Sequence, residues 1–153
     1  VDFFFFLWDE VAMEFIVNYR EIVSRAFLHK EAPELVDYFC RRGYRQFILS
    51  AMQQDFLEET IRERIDIGVF EKVIGLNNHY AATKSANAKM LVNQSGLEKN
   101  AIVMIGDTLH DHEVAEDAGI RCVLVADGHQ SRQRLESSGN CVVGKLSDLK
   151  QLF

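Results

Sequence analysis

Residues 101–126 read AIVMIGDTLHDHEVAEDAGIRCVLVA, and this stretch decides the fold. A short apolar run, AIVMI, breaks at Gly106-Asp107. A helical segment then closes at Gly119, and a second apolar run, RCVLVA, follows at once. Strand, helix and strand at this spacing make a βαβ unit, whose strands are parallel because the helix carries the chain back across the sheet.

Outward from this unit the same alternation covers the chain from about residue 31. APELVDYFCRRG (32–43) has Pro33 in its first turn, Leu35, Val36, Phe39 and Cys40 on one face, and Gly43 where a helix stops. QFILS (46–50) is a short strand, and QQDFLEETIRERI (53–65) is helical through Phe56, Leu57, Ile61 and Ile65. EKVIGL (71–76) is the next strand, and KSANAKMLVNQSG (84–96) a helix ending at Gly96. After residue 126 come a short helix from Ser131, the strand CVVG (141–144) and a last turn at SDLKQLF (147–153). The pattern predicts a doubly wound α/β domain with helices over a parallel sheet.

Composition narrows the partners. The chain has 153 residues, 48% of them hydrophobic, one proline and nine glycines, enough for one good core. Its net charge of −6 disfavours nucleic acid and anionic membranes, because no long basic run exists to meet them. A small molecule or a protein is the expected partner. Three scattered cysteines, Cys40, Cys122 and Cys141, without a CxxC pair, predict neither a disulfide framework nor a zinc site. They fit a reducing, cytoplasmic setting. The apolar start carries no basic leader, so a signal peptide is not expected.

In open α/β sheets ligands sit beyond the carboxyl ends of the strands, so polar residues there are read first. QFILS ends at Ser50, followed by Ala51, and AIVMIGDTLHD ends at Gly106-Asp107 with Asp111 four residues on. Two carboxylates at a strand-to-helix junction suit Mg²⁺, a hard ion commonly held by one or two carboxylates, waters and substrate phosphate. Lys84 opens a helix, where a cation opposes the helix dipole unless an anion compensates. Taken singly, Ser50 is a helix cap, Lys84 a solvated side chain and Gly-Asp-x-x-x-Asp a capped turn. Their order along alternating units of one sheet makes the shared chemical reading the more economical.

The segments ILSA, ATK and VMIGDTLHDHEVAEDAGI, in that order, resemble motifs II, III and IV of the haloacid dehalogenase (HAD) superfamily, more narrowly its phosphoglycolate phosphatase-like members. The resemblance covers roughly residues 28–153. It implies a Rossmann-like HAD core, Mg²⁺ dependence and hydrolysis of small phosphate monoesters through an aspartyl-phosphate. It further implies that Ser50 donates its hydroxyl to a phosphate oxygen with the Ala51 N–H assisting. Lys84 would neutralise phosphate and nucleophile, Asp107 would bind Mg²⁺, and Asp111 would support the metal shell or orient Lys84. Such roles suit phosphoryl transfer, which asks a protein mainly for positioning and charge neutralisation.

The family pattern also needs motif I, a mid-sheet strand running into Asp-x-Asp, and no Asp-x-Asp occurs in this sequence. The nucleophile is therefore not in this chain. The alternative is a non-catalytic domain that binds phosphate, Mg²⁺ or a partner protein. Without motif I a slot is expected between the strands ending at Ser50 and Asp107. Residues 1–30, VDFFFFLWDEVAMEFIVNYREIVSRAFLHK, place Phe15, Ile16, Tyr19, Ile22 and Val23 at helical spacing and resemble the remnant of a helical cap. The run Phe3 to Phe6 is too apolar to stay in water. It is either part of that cap or a substitute strand in the slot, and it is a candidate for self-association. Residues 31–153 form the expected core.

Other residues carry plainer expectations. His110 and His112 point to different sides of a helix, so they do not form a second metal site. His129 belongs to a loop and helix cap, the RRGYR cluster (41–45) to a solvated face, and Cys122 and Cys141 to inert core. A response-regulator-like phosphoacceptor also uses strand-end carboxylates and a lysine. Here Lys84 precedes the Gly-Asp strand, which argues against it.

Overall fold

Pro33 sits in the first turn of helix α1 (Ala32–Arg41), where its missing N–H costs nothing, and Leu35 and Phe39, four apart, form its buried line. The computed structural model describes residues 28–76 and 83–153, and Glu31–Phe153 form one compact unit. The readings placed on Phe3–Phe6 and on Phe15–Val23 lie outside the described residues. After α1 come β1 (Phe47–Gln53), α2 (Gln54–Arg62), β2 (Lys72–Leu76), α3 (Lys84–Ser95), β3 (Val103–Gly106), α4 (Leu109–Ala118), β4 (Arg121–Val125), α5 (Arg132–Glu136) and β5 (Cys141–Val143). A final 3₁₀ turn spans Leu146–Gln151. Gly96 and Gly119, both at positive φ, close α3 and α4 where the sequence places their ends.

The strands pair in parallel, as the βαβ rhythm requires, in two sets: β1 with β2, and β3-β4-β5. Strand β4 organises the second set. Val123 and Val125 on one face join Leu35, Phe39, Val143 and Leu149, while Cys122 and Leu124 on the other join Ala115 and Leu135. A strand covered on both faces is why RCVLV shows no polar alternation. Leu124, Leu135, Leu149 and Val114 are the largest fully buried side chains, each contributing about 1.5–3 kcal/mol. Helix α3 lies over both sets, since Ala88 and Val92 pack with Val114 and Ala118 of α4, with Leu49 of β1 and with Met104 of β3.

Among the described residues β1 pairs only with β2, and β3 only with β4. Between these free edges lies a cleft of about 430 Å³ lined by Phe47, Leu49, Val92, Val103 and Ile105, in the slot expected between the strands ending at Ser50 and Asp107. Ile105 is 40% exposed there.

Three local expectations need correction. Cys40 is exposed, because the buried line of α1 runs through Leu35 and Phe39, with Tyr38 rather than Cys40 packed beside it. Cys141 is also exposed, since it opens the three-residue edge strand β5. Strand β1 does not stop at Ser50 but runs to Gln53. Its ladder with β2 nevertheless changes register after Leu49, so that Ser50, Ala51 and Met52 together stand against Gly75 alone. This bulge runs close over Gly75, where an added Cβ would lie 2.5 Å from the Met52 carbonyl oxygen and 2.9 Å from Gln54 Cα. Gly75→Ala is expected to lower the unfolding free energy by about 1–3 kcal/mol through overpacking against backbone, measured by urea denaturation. An unchanged midpoint would show that the bulge relaxes freely.

Candidate functional site

The site is built at the carboxyl ends of β1 and β3 and the first turns of α3 and α4. Thr108 and Asp111 form a capping box at the start of α4: the Asp111 N–H donates to Thr108 Oγ1 at 3.3 Å and the Thr108 N–H to Asp111 Oδ2 at 3.1 Å. The same Oδ2 accepts from the Asp107 N–H at 3.1 Å and from the Thr108 hydroxyl at 2.7 Å. Asp111 Oδ1 meets the Lys84 ammonium at 2.6 Å, with the two side chains 15% and 7% exposed for lysine and aspartate. Thr83 caps α3 by accepting from the Ala86 N–H at 3.2 Å, which places Lys84 in its first turn. The anion that a lysine needs at a helix start is therefore within the protein.

Burial pushes the Asp111 carboxyl up, but the Lys84 ammonium and the Thr108 hydroxyl outweigh it and hold the group below the ordinary carboxylate value. Both Asp111 oxygens are thus committed to protein donors, so its place in the site is to orient Lys84 and the 106–108 turn. Asp107 differs. Its side chain is 35% exposed, and Oδ2 accepts from the His129 N–H at 2.8 Å and lies 2.6 Å from His129 Nδ1. Oδ1 has no protein donor among the described residues, which leaves one hard oxygen at the mouth of the site, the kind Mg²⁺ takes together with waters. No cluster of three or more His, Cys, Asp or Glu placed for a metal occurs among the described residues, so a cation here would rest largely on water and substrate oxygens.

Two glycines permit this crowding. A Cβ on Gly106 would overlap the Asp111 carboxylate and one on Gly128 the Asp107 carboxylate. His129, read from sequence as loop and cap, is thereby brought against Asp107, whose hydrogen bond and charge raise the imidazole pKa. Gln130 accepts from the Leu109 N–H at 2.9 Å, fastening the same loop to α4. The signal was position: the loop after β4 emerges beside the end of β3, its ladder neighbour. Ser131 is the N-cap of α5 but makes no side-chain cap bond.

Ser50 and Ala51 stay apart from the carboxylate cluster. Ser50 Oγ accepts from the Met52 N–H at 3.1 Å, and Ala51 is exposed on the bulge. His110 meets Glu113 at 3.1 Å and His112 meets Asn140 at 2.8 Å, so the two histidines part as predicted. Burial, with the charge of Asp111, lifts the Cys122 thiol to about 11, which leaves it unreactive. In the RRGYR cluster, Arg45 makes a two-pronged bond to Glu71 and a third to the Ser95 carbonyl, a staple between α3 and the start of β2.

Removing Asp111 would leave Lys84 buried without an anion, so Asp111→Ala is expected to cost about 3–5 kcal/mol of stability. The sign with pH follows from the lowered folded pKa. The contribution is full above the unfolded carboxylate value, about 3.9, and is lost as pH falls through the lower folded value. Thermal melts of wild type and Asp111→Asn between neutral and acid pH test this: wild type should lose Tm more steeply in acid, and parallel curves would refute it.

Three comparisons bear on this geometry. Residues 79–149 match the family model described as HAD-hydrolase-like. The phosphoglycolate phosphatase of Sulfolobus acidocaldarius is 32% identical over 95 residues, 56% of this chain and 41% of that protein, so the chain spans about two fifths of the curated relative it matches. Among solved structures, a predicted phosphatase from Clostridium acetobutylicum aligns with a TM-score of 0.81 over 94% of this chain and 70% of its own, at 16% identity. A predicted phosphoglycolate phosphatase from Haemophilus somnus aligns with a TM-score of 0.80 over 92% and 64%, at 17% identity. These two likenesses are of fold. No helix among the described residues is long and apolar enough to cross a membrane. The segment that matches the HAD-hydrolase-like family model runs through Lys84, Asp107 and Asp111.

Proposed function

We propose that this chain is the core of a Mg²⁺-dependent phosphatase acting on small phosphate monoesters, with phosphoglycolate, the substrate named in its curated relative, as the class of choice. The observation that carries the reading is the convergence of a half-buried lysine ammonium with two unlike carboxylates: Asp111 closed around Lys84, and Asp107 half-open, with one oxygen unengaged among the described residues. Lys84 neutralises an incoming phosphate, Ser50 donates its hydroxyl to a phosphate oxygen and the Ala51 N–H assists. Asp107 holds the metal, with Asp111 behind it aligning Lys84. Mg²⁺, when bound, neutralises phosphate charge and orients its oxygens. The attacking carboxylate of an aspartyl-phosphate route is not supplied by any Asp-x-Asp of this sequence. A strand lying in the β1–β3 cleft would deliver such a group between Ser50 and Asp107.

The missing Asp-x-Asp also favours a second reading, a domain that binds phosphate and Mg²⁺ without turning substrate over. Both readings share one test. Inorganic phosphate, titrated calorimetrically, should bind more tightly with Mg²⁺ than without. Asp107→Asn should remove that difference, and Lys84→Ala should weaken binding by about tenfold or more, ~1.4 kcal/mol. Phosphate binding that ignores Mg²⁺ and both substitutions would overturn the site. Mg²⁺-dependent hydrolysis of an aryl phosphate by the same chain would overturn the binding-only reading and show that another carboxylate replaces the missing nucleophile.

A further inference from the structure

We propose that Gln54 is a positioning residue for the phosphate-binding turn: its side-chain carboxamide bonds the main chain of β2 beside the bulge and thereby fixes Ser50 and Ala51. The proposal rests on the phosphate-site reading above and deepens it.

The bulge poses a hydrogen-bonding problem. Three residues of β1 stand against Gly75 alone, so the turn they form needs bonds that hold it to β2. Gln54, the first residue of α2, supplies them. Its Oε1 accepts from the Gly75 N–H at 2.6 Å, and its Nε2 donates to the Val73 carbonyl at 3.0 Å. Val73 O and Gly75 N flank Ile74 as the acceptor and donor that a main-chain amide of a parallel neighbour would engage. The carboxamide thus stands in for a peptide group, and a third bond from Nε2 to Glu58 Oε1 at 2.7 Å fixes its orientation.

The substitution has a geometric consequence for the site. With the start of α2 held to β2 by Gln54, the chain from Ser50 to Met52 closes the Ser50 Oγ–Met52 N–H turn. The close approach of Met52 O and Gln54 Cα to the Gly75 position holds it there. The Gly75 carbonyl in turn accepts from Asn87 Nδ2 at 3.0 Å, and Asn87, 8% exposed, lies one turn beyond Lys84 on α3. A single residue, Gly75, is therefore bonded by amide side chains to the helix that follows the Ser50 strand and to the helix that carries Lys84. Asn87 looks like an ordinary buried polar residue and Gln54 like a helix-surface one, yet together they set the separation of the two phosphate-binding groups.

The test is inorganic phosphate binding at saturating Mg²⁺ by calorimetry, with thermal melts alongside, for Gln54→Leu, Ser50→Ala and the double variant. Because Gln54 acts through Ser50, Gln54→Leu should weaken phosphate binding by about tenfold, and adding it to Ser50→Ala should cost little more, as expected for coupled residues. A merely structural glutamine would lower Tm while leaving the affinity of the folded protein at the wild-type value. Gln54→Glu, which keeps an acceptor for the Gly75 N–H but loses the donor to Val73, should show an intermediate loss and serves if Gln54→Leu does not fold. Wild-type affinity in either variant, or a loss that adds in full to that of Ser50→Ala, would overturn the positioning role alone. Absence of phosphate binding in wild type would overturn the phosphate site and this role with it.

Discussion

The ion pair between Lys84 and Asp111 is the constraint around which the carboxyl end of this domain is arranged. Taking a lysine and an aspartate out of water costs several kcal/mol per ion, and their attraction offsets that only when the remaining lone pairs are also satisfied. Asp111 meets the condition completely, with Lys84 on one oxygen and three donors of the 107–108 turn on the other. The backbone must therefore come unusually close to the carboxylate, which is why position 106 has no side chain. A capping box, a device for starting a helix, here also fixes the half-buried Lys84 ammonium through Asp111.

The same pair joins the two strand sets. Lys84 belongs to α3, which packs on β1 through Leu49, and Asp111 to α4, which packs on β3 and β4. The bond between them and the Ala88–Val92–Val114–Ala118 cluster tie together sheets that share no ladder among the described residues. The apolar cleft between β1 and β3 is thus bridged from the helix side, while among the described residues neither strand edge facing it is paired.

Much of this was legible in the sequence. The alternation of apolar runs and amphipathic segments located nearly every element, because a parallel sheet covered on both faces leaves continuous strands such as RCVLV and helix ends marked by Gly96 and Gly119. Lys84, Asp107 and Asp111 could be read as neighbours because strand ends and helix starts are where polar residues collect in this architecture. The misses share a different cause. Cys40 and Cys141 were placed by periodicity, which does not distinguish the centre of a buried line from its margin or a central strand from an edge. His129 and Gln54 act across 22 and 21 residues, on Asp107 and Gly75, so no local window contains their partners. The bulge that makes Gln54 necessary is a pairing irregularity, absent from either strand read alone.

The two aspartates show how far spacing goes and where environment takes over. Four residues apart on one strand-to-helix turn, they read from sequence as two carboxylates suited to Mg²⁺, the resemblance giving Asp107 the metal and Asp111 the metal shell or the orientation of Lys84. Folding makes them unequal: Asp111 is buried, paired and held ionised by its donors, while Asp107 is a third exposed and engaged through one oxygen. A carboxylate with every lone pair committed is a structural charge, whereas Asp107, at the mouth of the site, keeps one oxygen without a protein donor among the described residues. His129, also at that mouth, touches the oxygen of Asp107 that the open one leaves behind. It thereby fixes the carboxylate's orientation and the direction from which a cation and its waters would approach.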